Sequence, residues 1–266
     1  MLHAPRLSIV MPCFQQVTFL EEAIRSVLNQ REVDVELIVM DPGSTDGSRE
    51  LLTTLHAEYG EQLVLHFAPD NGQSDAINRG MAMARGNVLG WLNSDDRLRP
   101  GALDLAMQLN TTEPRWLYGR GGIIDETGQP ISQPIVWYKN WRGRRFSIYK
   151  LITEDFIPQM ATFWNRALWN KVGGLDSKRH LDMDYDLFLR FAMICQPIVS
   201  TSYLGDFRVH SNAKSSQQTM DHLNAAKETA KCYAGKLGLR GKFAFLLHTV
   251  YSARTRLIYR FIKPGP

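Results

Sequence analysis

Four times in roughly the first hundred residues, a short apolar run is followed by a loop rich in Gly, Ser, Asn and Asp, and then by a segment with helical apolar spacing. This alternation constrains the fold more than any other feature, because successive parallel strands need a crossover between them and a helix is the usual one. The runs are Leu7 to Met11, Val35 to Met40, Leu63 to Ala68 and Val88 to Leu92. The first stops at Pro12. Thr18, with Glu21 three residues on, has the pattern of a capping box for a helix from about Thr18 to Asn29 that carries Ile24, Val27 and Leu28. Ser74 stands where it can cap a helix carrying Ala76, Ile77, Met81 and Ala84, and Pro100 opens a segment carrying Leu103, Leu105, Ala106 and Leu109. The expected class is α/β: a Rossmann-like, mostly parallel central sheet with right-handed crossovers, flanked by helices.

Such a sheet collects the carboxyl ends of its strands along one edge, where ligands bind. The loops put Asp41, Ser44, Asp46, Asp70, Asn71, Gln73, Asp75, Asp95 and Asp96 on that edge. Asp95 and Asp96 are neighbours, and two carboxylates repel unless a cation, a proton or hydrogen bonds compensate them. A divalent metal that also touches a phosphate is one solution, and capping of the next helix is the plain structural alternative. No Gly-x-Gly-x-x-Gly follows the first strand and no Gly-Lys-Ser/Thr loop is present, which argues against a dinucleotide dehydrogenase and a P-loop hydrolase.

The segments Met11-Pro12-Cys13-Phe14, Val39-Met40-Asp41-Pro42-Gly43-Ser44-Thr45-Asp46-Gly47-Ser48, Asp70-Asn71-Gly72-Gln73-Ser74-Asp75-Ala76 and Trp91-Leu92-Asn93-Ser94-Asp95-Asp96, in this order, resemble family 2 glycosyltransferases with the A-type nucleotide-diphospho-sugar fold. The resemblance extends to about residue 215. It implies that Pro12, Phe14 and Asp41 line the nucleotide site, with Asp41 at the base, and that the Asp75 region borders nucleotide or sugar. It also implies that Asn93 and Ser94 lie at the ribose and Asp95, with Asp96 as a second candidate, at a divalent metal, Mn2+ or Mg2+. Asn93 departs from the family pattern, which has an aspartate there, and this weakens the expected ribose contact.

The second half again resembles the family from Gln159 to Asp176 and from Leu181 to Arg190. Leu187, Phe188, Phe191 and Ala192 have helical spacing, so Asp182, Asp184 and Asp186 fall at a helix N-terminus, where capping alone can explain them. The resemblance places the catalytic base at Asp184, and Asp186 is expected to hold Arg190. It further implies that His210 is a second metal ligand and that Lys214 clamps the diphosphate, with Arg208 as another candidate. Trp137 to Phe146 interleaves aromatic and basic residues and reads as a loop, either solvated or in contact with a phosphorylated acceptor. One such cluster beside an acidic body does not support nucleic-acid binding.

From Lys227 onward nine basic residues face one acid, Glu228, so the tail carries about +8 and the preceding body about −4. Phe243, Leu246, Leu247, Val250, Leu257, Ile258 and Phe261 follow helical spacing among these cations. The run is far too short to span a bilayer, so the expectation divides between a basic amphipathic helix on an anionic inner leaflet and a helix packed on the protein or a second subunit. Three scattered cysteines, Cys13, Cys195 and Cys232, and the lack of a signal-like N-terminus point to a cytoplasmic enzyme, with a peripheral place on the inner face of the plasma membrane if the tail binds lipid.

The resulting expectation is a catalytic domain over 1–215, with a nucleotide-sugar-binding half at 1–110 and an acceptor half at 111–215, and a helical basic C-terminal extension over 216–266. Its activity is expected to be inverting, metal-dependent transfer from a nucleotide-diphospho-sugar, a UDP-sugar by family habit, to a lipid-linked or growing glycan of cell-envelope polysaccharide synthesis. The alternatives are a catalytically silent nucleotide-sugar-binding relative and a sugar-nucleotide-forming nucleotidyltransferase. The latter is disfavoured because the loop Pro12-Cys13-Phe14-Gln15-Gln16 has neither Gly nor Lys.

Overall fold

Strand β1 (Leu7–Pro12) is flanked by β2 (Val35–Asp41) and β4 (Val88–Trp91), with β3 (Leu63–Phe67) beyond β2, and all four are parallel. The structure, a computed structural model, describes residues 6–30, 33–211 and 219–262, with side chains as far as 252 but not that of 219. The sheet continues past β4 through β7 (Thr162–Asn165), β6 (Trp116–Ile124), β8 (Ile198–Arg208) and β5 (Arg97–Leu98). β7 is antiparallel to both β4 and β6, β8 is parallel to β6, and β5 is antiparallel to β8. Six of these eight strands therefore point one way, and their carboxyl ends form one edge.

β1, β2 and β4 read as nearly unbroken apolar runs because both faces of the sheet are covered there, whereas the edge strand β3 buries Leu63 alone. Leu7, Ile9 and Met11 enter one core with Leu20, Ile24 and Val27 of α1 (Val17–Leu28), whereas Val10 enters the other with Ile77 and Met81 of α3 (Gln73–Met83). α3 lies close on the sheet because Gly80 lacks a side chain, and a Cβ there would sit 2.5 Å from Val10 Cγ1. α2 (Ser48–Tyr59), the short α4 (Ala102–Ala106) and α7 (Arg166–Val172) complete the flanks. Charges inside the sheet are paired: Asp206 on β8 is buried between Arg97 and Arg99, at 2.9 and 2.7 Å.

Three local expectations are corrected. Thr18 and Glu21 do not form the capping box. The α1 N-terminus is instead held from a distance, the Val17 N–H donating to Asp46 Oδ2 at 2.9 Å and the Gln16 N–H to Ser48 Oγ. Ser74 is not the cap of α3, which starts after Gly72; its hydroxyl donates to the Arg179 carbonyl at 2.9 Å and ties the two halves together. Trp137 to Gly143 is not a loop but most of a helix, α5 (Gln133–Gly143), followed by α6 (Ile148–Thr153).

The second half is built on α8 (Met183–Ile194), and α9 (Thr219–Lys236) and α10 (Gly238–Ile262) pair with each other and pack on α6 and α8. α9 docks through polar bonds as well as Ala230 and Tyr233: the Tyr233 hydroxyl donates to Asp186 Oδ1 at 2.9 Å, and Thr229 bonds Asp182. No helix among the described residues is long and apolar enough to cross a membrane.

Candidate active site

The carboxyl-end edge of the sheet opens into a cleft of about 840 Å³. Its walls come from the β1 end (Pro12, Phe14), the start of α3 (Asp70, Gln73), the β4 end (Asn93 to Asp96), the inner side of α5 (Lys139, Asn140), the segment Asp155 to Met160, and the α8 start with Asp184. Parallel topology brings these distant stretches together, since each strand delivers its following loop to the same edge.

Asp41 is fully buried just behind this wall, while its neighbours Met40 and Pro42 line the cleft. Its Oδ1 accepts from the Gly43 and Ser44 N–H groups and from Arg49 Nε, at 2.9, 3.0 and 2.8 Å. Burial pushes this carboxyl up, but the Ser44, Arg49 and Gly43 hydrogen bonds outweigh it and hold the group below the usual carboxylate range. Its Oδ2 is buried and has no partner among the described residues. A fixed anion with one open acceptor suits a ring N–H, and buried polar atoms left this way are uncommon. Trp91 Nε1, on the cleft wall, and His222 Nε2 are likewise buried without a partner.

Asp75 is not among the cleft-lining residues; it accepts from the Asn71 N–H at 3.0 Å and so fixes the loop that carries Asp70 and Gln73. Asn93 accepts from Gln73 Nε2 at 2.9 Å and donates to Asp96 Oδ2 at 3.3 Å, with Gln159 Oε1 at 3.5 Å. The amide both accepts from Gln73 and donates to Asp96, and a carboxylate at this position could not make the second bond as donor. Ser94 is buried on the same wall.

Of the two adjacent carboxylates, Asp96 turns inward. It is 2% exposed and accepts from the Arg208 N–H at 2.9 Å. Burial, with the charge of Asp95, raises it well above the usual range. Asp95 remains at the cleft, its Oδ2 3.1 Å from His210 Nε2. His210 is buried behind it against the Phe19 ring, at 4.9 Å. Among the described residues no three His, Cys, Asp or Glu side chains converge as a metal cluster. The Asp95–His210 pair still fits a divalent ion in its chemistry, offering one carboxylate and one imidazole and leaving other positions to phosphate and water.

Arg208, the other candidate phosphate clamp, is not free for that role. It is 1% exposed, pairs with Glu22, donates to the carbonyls of Asp95 and Asp125, and lies over Phe19 at 4.7 Å. Lys214 lies outside the described residues.

The three aspartates around the α8 start divide sharply. Asp182 is held by Arg179 at 2.8 Å and by Thr229, and Asp186 by Arg190 and Tyr233, each at 2.9 Å. Asp184 alone of the three lines the cleft, accepting the Tyr185 N–H at 2.9 Å. Burial raises its pKa, opposed by that N–H and by the nearby His222.

Two cleft residues carry no signal in the sequence. Asp155 is pushed up to about 7, chiefly by burial and then by the charge of Asp184, with Lys139 opposing. His222 reaches the cleft from α9. Neither belongs to a motif, and only the tertiary fold brings them beside Asp184.

A glycosyl transferase family 2 model matches residues 8–170, the span that carries the β1, β2 and β4 ends of the cleft. The chain is 28% identical over 192 residues to a chondroitin synthase of Pasteurella multocida, covering 71% of this chain but 19% of that protein, so it spans about a fifth of that relative. It is 28% identical over 204 residues to a PGL/p-HBAD biosynthesis glycosyltransferase of Mycobacterium bovis, covering 76% and 74% of the two chains. Among solved structures it is similar to S. aureus TarS 1-349 in complex with UDP-GlcNAc (TM-score 0.63, 13% identity, 84% of this chain and 65% of that one). It is also similar to the mannosyltransferase PcManGT of Pyrobaculum calidifontis in complex with GDP-Man and Mn2+ (TM-score 0.65, 15% identity, 100% and 78%). These two likenesses establish the A-type fold. With a family match over more than half its length and a cleft assembled from the matched strand ends, the chain belongs to glycosyl transferase family 2.

Proposed function

We propose that this glycosyltransferase moves a sugar, with inversion, from a nucleotide-diphospho-sugar to a hydroxyl of a lipid-linked or growing glycan. The observation that carries the reading is that Asp184 shares one cleft with the ends of β1 and β4. The nucleotide lies across Pro12 and Phe14, its base toward the open Oδ2 of Asp41 and its ribose toward Asn93 and Ser94. Asp75 acts by fixing the loop beside it. A UDP-sugar is the favoured donor, because Asp41 holds a fixed negative charge that suits the N–H of uracil. The TarS complex with UDP-GlcNAc supports that choice, while the GDP-Man complex of the mannosyltransferase keeps the guanine nucleotide in the test. The relatives' names, in polysaccharide and glycolipid synthesis, support a cell-envelope acceptor.

Asp95 and His210 would hold a divalent ion, Mn2+ or Mg2+, and Lys214 is the candidate counter-charge for the diphosphate. When bound, the ion would supply positive charge to offset that of the leaving diphosphate. Ionised Asp184 takes the proton of the acceptor hydroxyl as its oxygen bonds to the anomeric carbon and the carbon–phosphate oxygen bond breaks on the opposite face. Lys139, Asn140 and Asp155 form the acceptor wall. Residues 1–110 thus serve the donor and 111–215 mainly the acceptor, apart from His210 and Lys214 on the diphosphate side, with α9 of the C-terminal extension adding His222.

Asp184→Asn tests the reading, with binding and turnover measured separately. Transfer should fall by at least about a thousandfold, near the upper range for a general base, while the midpoint shift given by UDP-sugar with Mn2+ stays as in the native protein. Retained turnover overturns the assignment of the base. Native protein that binds donor but never turns it over would favour the catalytically silent alternative.

A further inference from the structure

α10 is apolar on two opposite sides. Its inner side packs on the body: Ala244 and His248 are buried, Phe245 packs against the core, and His248 Nδ1 lies 3.1 Å from the Ile152 carbonyl oxygen. On the outer side Leu239, Phe243, Leu246 and Val250 are 84, 63, 61 and 62% exposed. At helical spacing these four fall within an arc of about 60°, with Leu247 just beside them. Lys242 borders the stripe on one side and Arg240 on the other, and both are exposed. Packing on the body is already satisfied by the inner side, so the outer stripe needs a different cover.

The charges select that cover. Nine cations face one acid from Lys227 onward, whereas the preceding body is net acidic. Pairing two copies of the stripe would bring cationic borders together, which is unfavourable. A lipid surface with anionic headgroups supplies both an apolar layer for the stripe and negative charge for its borders, in one plane.

We propose that the outer side of α10 lies in the interface of an anionic phospholipid bilayer, with Leu239, Phe243, Leu246 and Val250 at the acyl boundary and Arg240 and Lys242 among the headgroups. α5 connects that surface to the cleft: Arg142 lies over the Tyr251 ring of α10 at 5.9 Å, while Val136, Lys139 and Asn140 line the cleft wall. The inference stands whether or not the proposed reaction does.

The test is co-sedimentation of the full chain with phosphatidylcholine vesicles, with and without phosphatidylglycerol, at low and high salt. Binding should require phosphatidylglycerol and weaken with salt. The double variant Phe243→Ser, Leu246→Ser should lose about a hundredfold in partitioning, since each large apolar side chain withdrawn from the interface weakens it by about tenfold. The double variant Arg240→Gln, Lys242→Gln leaves the apolar stripe in place and should lose the preference for phosphatidylglycerol, so the proposal stays testable if the serine variant folds poorly. No sedimentation of the native chain, equal binding to both vesicle types, or variants that bind like the native chain would overturn the proposal. So would a native dimer, seen by light scattering, that the serine variant splits into monomers, because a second copy would then be the cover.

Discussion

Asp155 shows what a half-buried carboxyl in this cleft costs and when. Its pKa in the folded chain, about 7, lies above the roughly 3.9 of an unfolded aspartate, so the fold favours the protonated form. The stability tied to that form is complete below the unfolded value and is lost as pH rises toward 7. Asp155→Asn should therefore gain on the native protein between about pH 4 and pH 7, by something on the order of 2 kcal/mol, with no further gain above. Melting curves of both proteins across that range check it, and a gap independent of pH would show that the carboxyl is well solvated. Nothing in the order of residues marks Asp155, because the neighbours that raise it, Asp184 above all, are distant in the chain. Asp184 was legible because it sits in a recognisable segment at a helix start. The expected hold of Asp186 on Arg190 is present at 2.9 Å; what the pattern could not show was that Thr229 and Tyr233 of α9 take up Asp182 and Asp186 as well. Asn93 likewise looked like a defect, and its reason lies in Gln73 and Asp96, which only the folded loop places beside it.

α9 anchors α8 from behind through the Tyr233 hydroxyl, which donates to the buried Asp186 carboxylate that also holds Arg190. Tyr233→Phe keeps the ring and removes one donor from a buried anion, so it should lower stability by about 1–3 kcal/mol in urea unfolding. Transfer by the folded fraction should change far less than in Asp184→Asn, since Asp186 does not line the cleft. The elements themselves were legible in proportion to how regular their apolar pattern is. β1, β2 and β4 were readable because burial on both faces makes them nearly continuous apolar runs. α5 was not, because Trp137 and Trp141 are exposed and stack on each other at 6.2 Å while Val136 alone of its side chains is deeply buried, so no apolar face announces a helix. The α1 start misled for another reason: its caps come from Asp46 and Ser48, across a parallel crossover rather than from within the helix.

The molecule as a whole joins the sheet to the helices of its second half around one cleft, so a donor bound there should stabilise all of it. At a hundredfold excess over its dissociation constant the correct nucleotide-sugar adds about 2.7 kcal/mol, or a rise in melting temperature of about 5–10 °C for a chain of this size. A panel of UDP- and GDP-sugars, each with and without Mn2+, reads this out. A UDP-sugar that needs the metal is the expected winner, and the absence of any shift would count against the donor site. The parallel order β3-β2-β1-β4 is followed by β7 running the other way against β4, and that reversal also bears on how the chain acquires its shape during synthesis. All the residues of the first four strands leave the ribosome before Thr162–Asn165 are made, so β4 waits as an apolar open edge with Leu89 and Gly90 unpaired on that side. At typical elongation rates the wait lasts several seconds. Through that interval the nascent chain presents a template for another strand, and the arrival of Phe163 and Trp164 closes it.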